Sequence, residues 1–253
     1  MRLATRVTAR INNKLRGVGY EVRRYEKPVV VVGSIHEPVH PSATYSPWNS
    51  DREFLDTLRR IQGHTLVDRY RCFELWSLVE QSKKVDGCLI EIGVWRGGTG
   101  ALIAQRAKLD GRAGEHVYLC DTFSGVVKAS KKDSAYKGGE CADTSQRIVK
   151  RLLDDLGLTN VTMLEGIFPE QTAHLIKEST FRFCHIDVDV YQSAKDIIDW
   201  IWHKMSIGGI IVYDDYGFAG CDGITKYVEE QTNDRDRIIM HNLNGHAVVV
   251  KIR

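Results

Sequence analysis

Residues 88–100 read CLIEIGVWRGGTG, a short apolar run that leads into a glycine-rich turn, and the segment that follows, up to residue 109, has helical composition. An apolar run of this length is typical of a strand buried on both faces. Glycines let the backbone turn sharply and approach a ligand without a Cβ in the way. The stretch therefore predicts a strand, a tight turn and a helix whose first amides face the turn.

The same alternation continues on both sides of this unit. Two segments before it, 51–63 and 66–85, have helical spacing. Further apolar, strand-like runs lie at 116–123, 160–168, 181–190, 208–217 and 246–253, and helical segments lie between them at 146–158, 193–205 and 224–234. Strands that alternate with helices of ~10–15 residues predict a doubly wound α/β fold with a parallel sheet.

Length and composition favour one domain with an appendage. The chain has 253 residues, which predicts an N-terminal extension or lid at 1–50, with a basic helix and a short VVVVG strand, and a domain at 51–253. The basic residues of the extension are either a solvated helix face or an arm for an anionic partner. A net charge of +2 argues against a nucleic-acid partner.

Cysteine usage and hydropathy favour a cytoplasmic protein. The six cysteines form no CxxC pair, so we expect free thiols in a reducing compartment. No run reaches the ~18 apolar residues of a membrane span. We expect no span and no secretory signal, and a homo-oligomer.

The turn after the first strand indicates a cofactor site. Its spacing is G-x-x-x-G-G, whereas dinucleotide-binding oxidoreductases need G-x-G-x-x-G. Glu91 precedes the first glycine by two residues, and an acid suits a cationic cofactor better than a pyrophosphate. Asp121, at the end of the next strand, is placed either to accept from both ribose hydroxyls of an adenosine or to cap the following turn. Gly166, with the acid before it, either flanks an adenine or forms a turn.

Four aspartates indicate a metal site. Asp187 and Asp189 end one strand-like run, and Asp214 and Asp215 end another. Strand alternation predicts that the first two share one face. Converging carboxylates repel one another unless a hard divalent cation compensates them, and all-oxygen ligation fits Mg²⁺, Mn²⁺ or Ca²⁺. The alternative is that they cap the helices that follow. His185 is a partner of the acids, a base or a core residue.

Five segments together resemble the macrocin O-methyltransferase family, which includes the mycinamicin and novobiocin sugar O-methyltransferases. They are EIGVWRGGTG, DTFSGV, EGIFPE, HIDVDVYQS and GGIIVYDDYG, and the resemblance runs from about Trp48 to Val228. It implies a Rossmann-like class I methyltransferase sheet, S-adenosylmethionine as methyl donor and a bound Mg²⁺ (or Mn²⁺). A non-catalytic binding module is disfavoured by the full set of acids.

Site roles follow from the resemblance. It implies that Asp187, Asp214 and Asp215 bind the metal and that Asp189 is the catalytic base, with His185 as the alternative base. The predicted acceptor is a sugar-containing small molecule or a glycan, and the alternative is a catechol or another small phenol. The residues predicted to bind the cofactor are Thr65, Leu66, Glu91, Gly93, Val94, Trp95, Arg96, Gly97, Gly98, Asp121, Thr122, Phe123, Ser124 and Gly166.

Overall fold

The computed structural model describes residues 36, 39, 43–111 and 115–253. The predicted basic helix and VVVVG strand of the extension lie outside these residues. Pro38–Arg253 forms one compact unit. Within it, Trp48 packs edge-on against Tyr70 and Phe73, with ring centroids 5.1 and 5.9 Å apart. The predicted domain boundary at residue 50 stays a prediction.

Seven strands form one mixed sheet. They are β1 (Cys88–Ile92), β2 (Val117–Asp121), β3 (Val161–Glu165), β4 (Phe181–Ile186), β5 (Met205–Tyr213), β6 (Arg237–His241) and β7 (Ala247–Lys251). Their order is β3-β2-β1-β4-β5-β7-β6. The first five pair in parallel, whereas β7 is antiparallel to β5 and to β6. The predicted doubly wound α/β class is confirmed, and the order reverses between β1 and β4.

Six helices of the described chain cover the sheet. They are α1 (Arg52–Arg60), α2 (Arg69–Ser82), α3 (Gly98–Leu109), α4 (Gln146–Leu156), α5 (Tyr191–Ile201) and α6 (Asp222–Glu230). Side chains that precede three of them cap the first turn: Asp51 accepts from the Phe54 amide at 2.9 Å, and Asp68 and Ser145 cap α2 and α4. Among the described residues no helix has both the length and the hydropathy to cross a membrane.

The core has two halves because the strands are buried on both faces. Along β1, Leu89 packs into one cluster with α2 and α3, and Ile90 packs into the other with α5. The same alternation along β4 places Phe183 in the first cluster and Cys184 in the second. This burial explains why the central strands read as continuous apolar runs.

The structure departs from the sequence prediction at two strands. β6 was not predicted; it is an edge strand whose Ile238 and Met240 side chains are about half exposed. The run at 181–190 was predicted to be extended throughout, but β4 ends at Ile186. The sheet is also mixed rather than purely parallel, because a hairpin adds β7 and β6 at one edge.

Candidate active site

A cavity of about 350 Å³ lies where the carboxyl ends of β1, β2, β4 and β5 meet. The strand order reverses there, which is where open α/β sheets bind their ligands. The predicted site residues that line it are Thr65, Leu66, Gly93, Val94, Trp95, Asp121, Thr122, Gly166, Asp187, Asp189, Asp214 and Asp215.

Gly93 brings the glycine-rich turn against the segment that follows β4. Its φ is +86°, and a Cβ there would lie 1.7 Å from the carbonyl oxygen of Asp187. The Asp187 amide in turn donates to the Ile92 carbonyl at 2.9 Å. Because only glycine fits this approach, the predicted cofactor turn and a predicted metal ligand share one backbone contact.

Asp121 fastens the same turn to the end of β2. Its Oδ2 accepts from the amides of Val94 and Trp95 at 2.6 and 2.8 Å, and its Oδ1 accepts from the Phe123 amide at 2.6 Å. Among the described contacts, Oδ1 alone therefore keeps a lone pair. Asp121 therefore caps the turn after β2, and its contact with the ribose hydroxyls stays a prediction.

The segment before α2 is held at the cavity by contacts with the start of α3. The Gly98 amide donates to the His64 carbonyl at 2.9 Å, and His64 Nδ1 lies 3.1 Å from the Arg96 carbonyl oxygen. These contacts set Thr65 and Leu66 on the cavity wall, where the Leu66 side chain is 74% exposed. An exposed leucine at a cavity mouth is available to contact a ligand.

Six residues predicted to bind the cofactor do not line the cavity. They are Glu91, Arg96, Gly97, Gly98, Phe123 and Ser124. Glu91 is fully buried, with Oε1 2.9 Å from Nδ1 of His185, so it does not face a cationic cofactor as the sequence suggested. Arg96 pairs with Asp143 at 2.6 Å, and Trp95 Nε1 donates to the same carboxylate at 2.8 Å. For Arg96, Gly97, Gly98, Phe123 and Ser124, contact with a cofactor stays a prediction.

The predicted metal ligands converge. One oxygen from each of Asp187, Asp214 and Asp215 lies within 4.8 Å of the others. β4 and β5 are parallel neighbours, so the acids that follow them meet at one sheet edge. Asp189 lines the same cavity, and its backbone is left-handed, with a φ of 63°. Its amide donates to Asp215 Oδ2 at 3.0 Å. The prediction that strand alternation sets Asp187 and Asp189 on one face was wrong, because the strand has already ended.

These carboxylates differ in electrostatic state. Burial, and then the charges of Asp214 and Asp215, hold the pKa of Asp187 well above its ordinary value. Burial and the charges of Asp189 and Asp214 do the same to the pKa of Asp215. Burial alone would also raise the pKa of Asp214, but hydrogen bonds with two histidines and a nearby guanidinium lower it. Asp214 is therefore the member that stays charged without added cations.

This donor set fits a hard divalent cation. Carboxylates that share a buried site repel one another, and a cation among them removes that repulsion. Three carboxylate oxygens are the ligand type that Mg²⁺ and Mn²⁺ prefer. The Cys221 thiol lies in a neighbouring group with Asp189 and Asp215. Burial raises the pKa of that thiol, which keeps it protonated and a poor ligand.

Two of the groups that hold Asp214 were missed by the sequence analysis. Arg71, on α2, donates through Nη1 to the Asp214 carbonyl oxygen at 3.1 Å and forms an ion pair with Oδ2. His246, just before β7, has Nε2 2.9 Å from Asp214 Oδ1. No local motif links these residues. The one signal in the sequence was an arginine, Arg71, among the apolar positions of a helix. In the structure it is only 7% exposed.

His185 lies behind the acids and not on the cavity wall. It is fully buried, with Nε2 3.4 Å from Asp214 Oδ1 and Nδ1 against Glu91. Burial alone would lower the pKa of His185, but its contacts with Asp214 and Glu91 raise it to about 9. Because it does not face the cavity, the geometry supports the interpretation of His185 as a partner of the acids and disfavours it as the base.

The loop at 126–143 closes over the acidic end of the cavity. Its Tyr136 lines the cavity and is hydrogen-bonded to Asp189, and burial and then that contact raise the pKa of Tyr136. Asp133 is 2% exposed and accepts from the Tyr191 amide at 2.9 Å, at the start of α5. The sequence does not single out this anchor, because Glu140 and Asp143 lie in the same loop. The loop is thus fixed at the helix that follows Asp189.

Comparison with known proteins bears on this site. The sequence model of a family described as Macrocin-O-methyltransferase (TylF) matches residues 15–247. The demethyldecarbamoylnovobiocin O-methyltransferase of Streptomyces niveus is 24% identical over 204 residues, covering 74% of this chain and 77% of that protein. The 8-demethyl-8-(2,3-dimethoxy-alpha-L-rhamnosyl)-tetracenomycin-C 4'-O-methyltransferase of Streptomyces olivaceus is 27% identical over 181 residues, covering 65% and 67%. The solved structure of the O-methyltransferase NovP has a TM-score of 0.67 at 24% identity and covers 75% of this chain and 83% of that chain.

Proposed function

The chain belongs to the macrocin O-methyltransferase family, and we propose that it moves a methyl group from S-adenosylmethionine to a hydroxyl of a sugar-containing acceptor, with Mg²⁺ or Mn²⁺ bound by Asp187, Asp214 and Asp215. Membership makes the chain an S-adenosylmethionine-dependent O-methyltransferase. The metal, the acceptor class and the residue roles go beyond membership and are supported by the geometry of the cavity.

The observation that carries the proposal is that one cavity has both a cofactor end and an acidic end. The glycine-rich turn and Asp121 line the first, and the three converging aspartates line the second. The backbone contact between Gly93 and Asp187 joins the two ends. A methyl donor on the turn would thus lie beside a hydroxyl held at the acids, and such alignment supplies much of the rate in a two-reactant transfer.

Asp189 is the proposed general base. It lines the cavity, and its amide is bonded to Asp215, so its carboxylate stands next to the proposed metal site. Its left-handed backbone turns the chain between β4 and α5 and fixes that position. A bound cation would lower the pKa of an acceptor hydroxyl that it contacts. Asp189 would then take the hydroxyl proton as the oxygen attacks the methyl group.

The charges on the cavity wall favour an uncharged acceptor. The described lining residues include five aspartates, whereas Arg71 is their one lysine or arginine and is already paired with Asp214. A phosphate inside the cavity would meet carboxylates without a spare cationic side chain. A neutral sugar with vicinal hydroxyls fits better, and one relative is named for methylating a rhamnosyl compound.

The test is methyl transfer from labelled S-adenosylmethionine to a panel of neutral glycosides, nucleotide-linked sugars and catechols, with Mg²⁺ or with excess chelator. We expect transfer to a glycoside that requires the metal. Asp187→Asn should abolish it while S-adenosylhomocysteine still binds, and Asp154→Asn, at a surface ion pair with Lys150, is the matched control. Full turnover in chelator or in Asp187→Asn would refute the metal site, and activity on catechols alone would refute the acceptor class.

A further inference from the structure

A histidine and a glutamate stand behind the Asp214 carboxylate. His246 is fully buried, and its two ring nitrogens face different carboxylates: Nε2 lies 2.9 Å from Asp214 Oδ1, and Nδ1 lies 2.5 Å from Glu74 Oε2. Glu74 belongs to α2, and its side chain is 24% exposed. We propose that His246, held by Glu74, is a positioning residue that fixes Asp214 for metal binding.

The contact determines the direction in which Asp214 points. An ionised carboxylate only accepts, so Nε2–H of His246 donates to Oδ1, while Arg71 holds Oδ2 and the backbone carbonyl. Asp214 is thereby held on two sides. Oδ2 keeps a lone pair beyond the Arg71 contact, which remains available to a cation.

Holding is needed because the neighbouring acids repel Asp214 once they lose their protons to become metal ligands. Its carboxylate oxygen lies within 4.8 Å of those of Asp187 and Asp215, and like charges at that range repel strongly in a buried site. A carboxylate without a fixed partner would rotate away from the cluster. Glu74 adds the next link, since it fixes the imidazole ring that fixes Asp214. Outer partners of this kind typically change metal affinity by about 10–100-fold when they are removed.

The inference rests on the proposed metal site, so its test begins with the wild-type protein. Mn²⁺ alone is titrated into the full chain and binding is followed by electron paramagnetic resonance, with S-adenosylhomocysteine affinity and metal-free thermal melting measured in parallel. The variants are His246→Leu, which removes both ring contacts, and His246→Gln, whose amide nitrogen can still donate to Asp214. Glu74→Ala is compared with Glu80→Ala, a matched change on the same helix at an ion pair with Arg106.

We expect His246→Leu to weaken Mn²⁺ binding by about 10–100-fold with S-adenosylhomocysteine binding unchanged, and His246→Gln to restore most of the affinity. Glu74→Ala should also weaken Mn²⁺ binding, and Glu80→Ala should not. Glu74 is partly exposed, so its variants test the inference even if His246→Leu does not fold. Wild-type affinity in both His246→Leu and Glu74→Ala, or an equal loss in His246→Gln and His246→Leu, would overturn the inference. Failure of the wild-type protein to bind Mn²⁺ would instead refute the proposed metal site.

Discussion

Replacing Gly93 by alanine tests the contact that joins the two ends of the cavity. The change has two costs. Alanine at a φ of +86° is strained, which costs about 1–2 kcal/mol. The new Cβ would also lie 1.7 Å from the Asp187 carbonyl oxygen and 2.6 Å from its carbon, and these are backbone atoms that cannot rotate aside. Relieving such overpacking adds about 1–3 kcal/mol, for a total of about 2–5 kcal/mol.

Gly63 provides the matched control, because its φ is +81° and no described atom lies within 4 Å of its virtual Cβ. Gly63→Ala should therefore show the backbone strain alone. Urea unfolding followed by circular dichroism gives both free energies, and each kcal/mol should lower the melting temperature by about 2–4 °C in a chain of this size. Mn²⁺ affinity should also fall in Gly93→Ala, because Asp187 must shift. Equal stability of the two variants, or wild-type Mn²⁺ affinity in Gly93→Ala, would refute the reasoning.

Three further changes test the acids and the loop. Asp189→Asn should lower kcat by about 10²–10⁴-fold with Mn²⁺ and S-adenosylhomocysteine affinities retained; an unchanged kcat in steady-state assays would remove Asp189 as the base. Asp133→Ala should destabilise the fold by about 1 kcal/mol, since it removes the contact with the Tyr191 amide at the start of α5. It should also raise KM for the acceptor. Unfolding and kinetic measurements that show neither effect would contradict the anchoring role of Asp133. Burial and mutual repulsion raise the pKa of Asp187 and Asp215 in the folded state above the ordinary 3.8. Without a metal, the folded protein therefore binds protons at these acids more tightly than the unfolded chain does. The stability that this binding adds is complete below pH 3.8 and is lost as the pH rises through the folded-state pKa values. The urea midpoint should therefore fall as the pH rises when chelator is present, and it should fall less with Mg²⁺. The same dependence on pH in both conditions would contradict the assignment of Asp187 and Asp215 as metal ligands.

The parts of the fold that were predictable are those in which one strand carries its own signal. β1, β2, β4 and β5 are buried on both faces, so each reads as a continuous apolar run whatever its neighbours are. β6 gives no such signal, because Ile238 and Met240 face solvent and the strand is defined by its pairing with β7. The antiparallel edge depends on that pairing, which no local pattern encodes.

The candidate site divides in the same way. The aspartates were predictable because each follows an apolar run, and parallel strands bring their carboxyl ends together. Apart from His185, their partners were not, since Arg71 is 143 residues from Asp214 and Glu74 is 172 residues from His246. For Asp189, the position at the cavity was predicted but the left-handed backbone was not. A single residue that changes the direction of the chain does not alter the pattern of apolar residues in the sequence.

The acidic cluster combines one carboxylate that is already compensated with two that are not. Burial alone would raise the pKa of Asp214, but its contacts with His185, His246 and Arg71 lower it. Asp187 and Asp215 have raised pKa values, so their negative charge is the part of the site that a cation would stabilise. An isolated buried carboxylate escapes its desolvation cost by taking up a proton, and a neighbouring negative charge favours the protonated form further, whereas a bound cation favours the ionised form. Because Asp214 is held ionised by Arg71 and by hydrogen bonds, it is a fixed ligand, whereas Asp187 and Asp215 are uncompensated and depend on a metal ion.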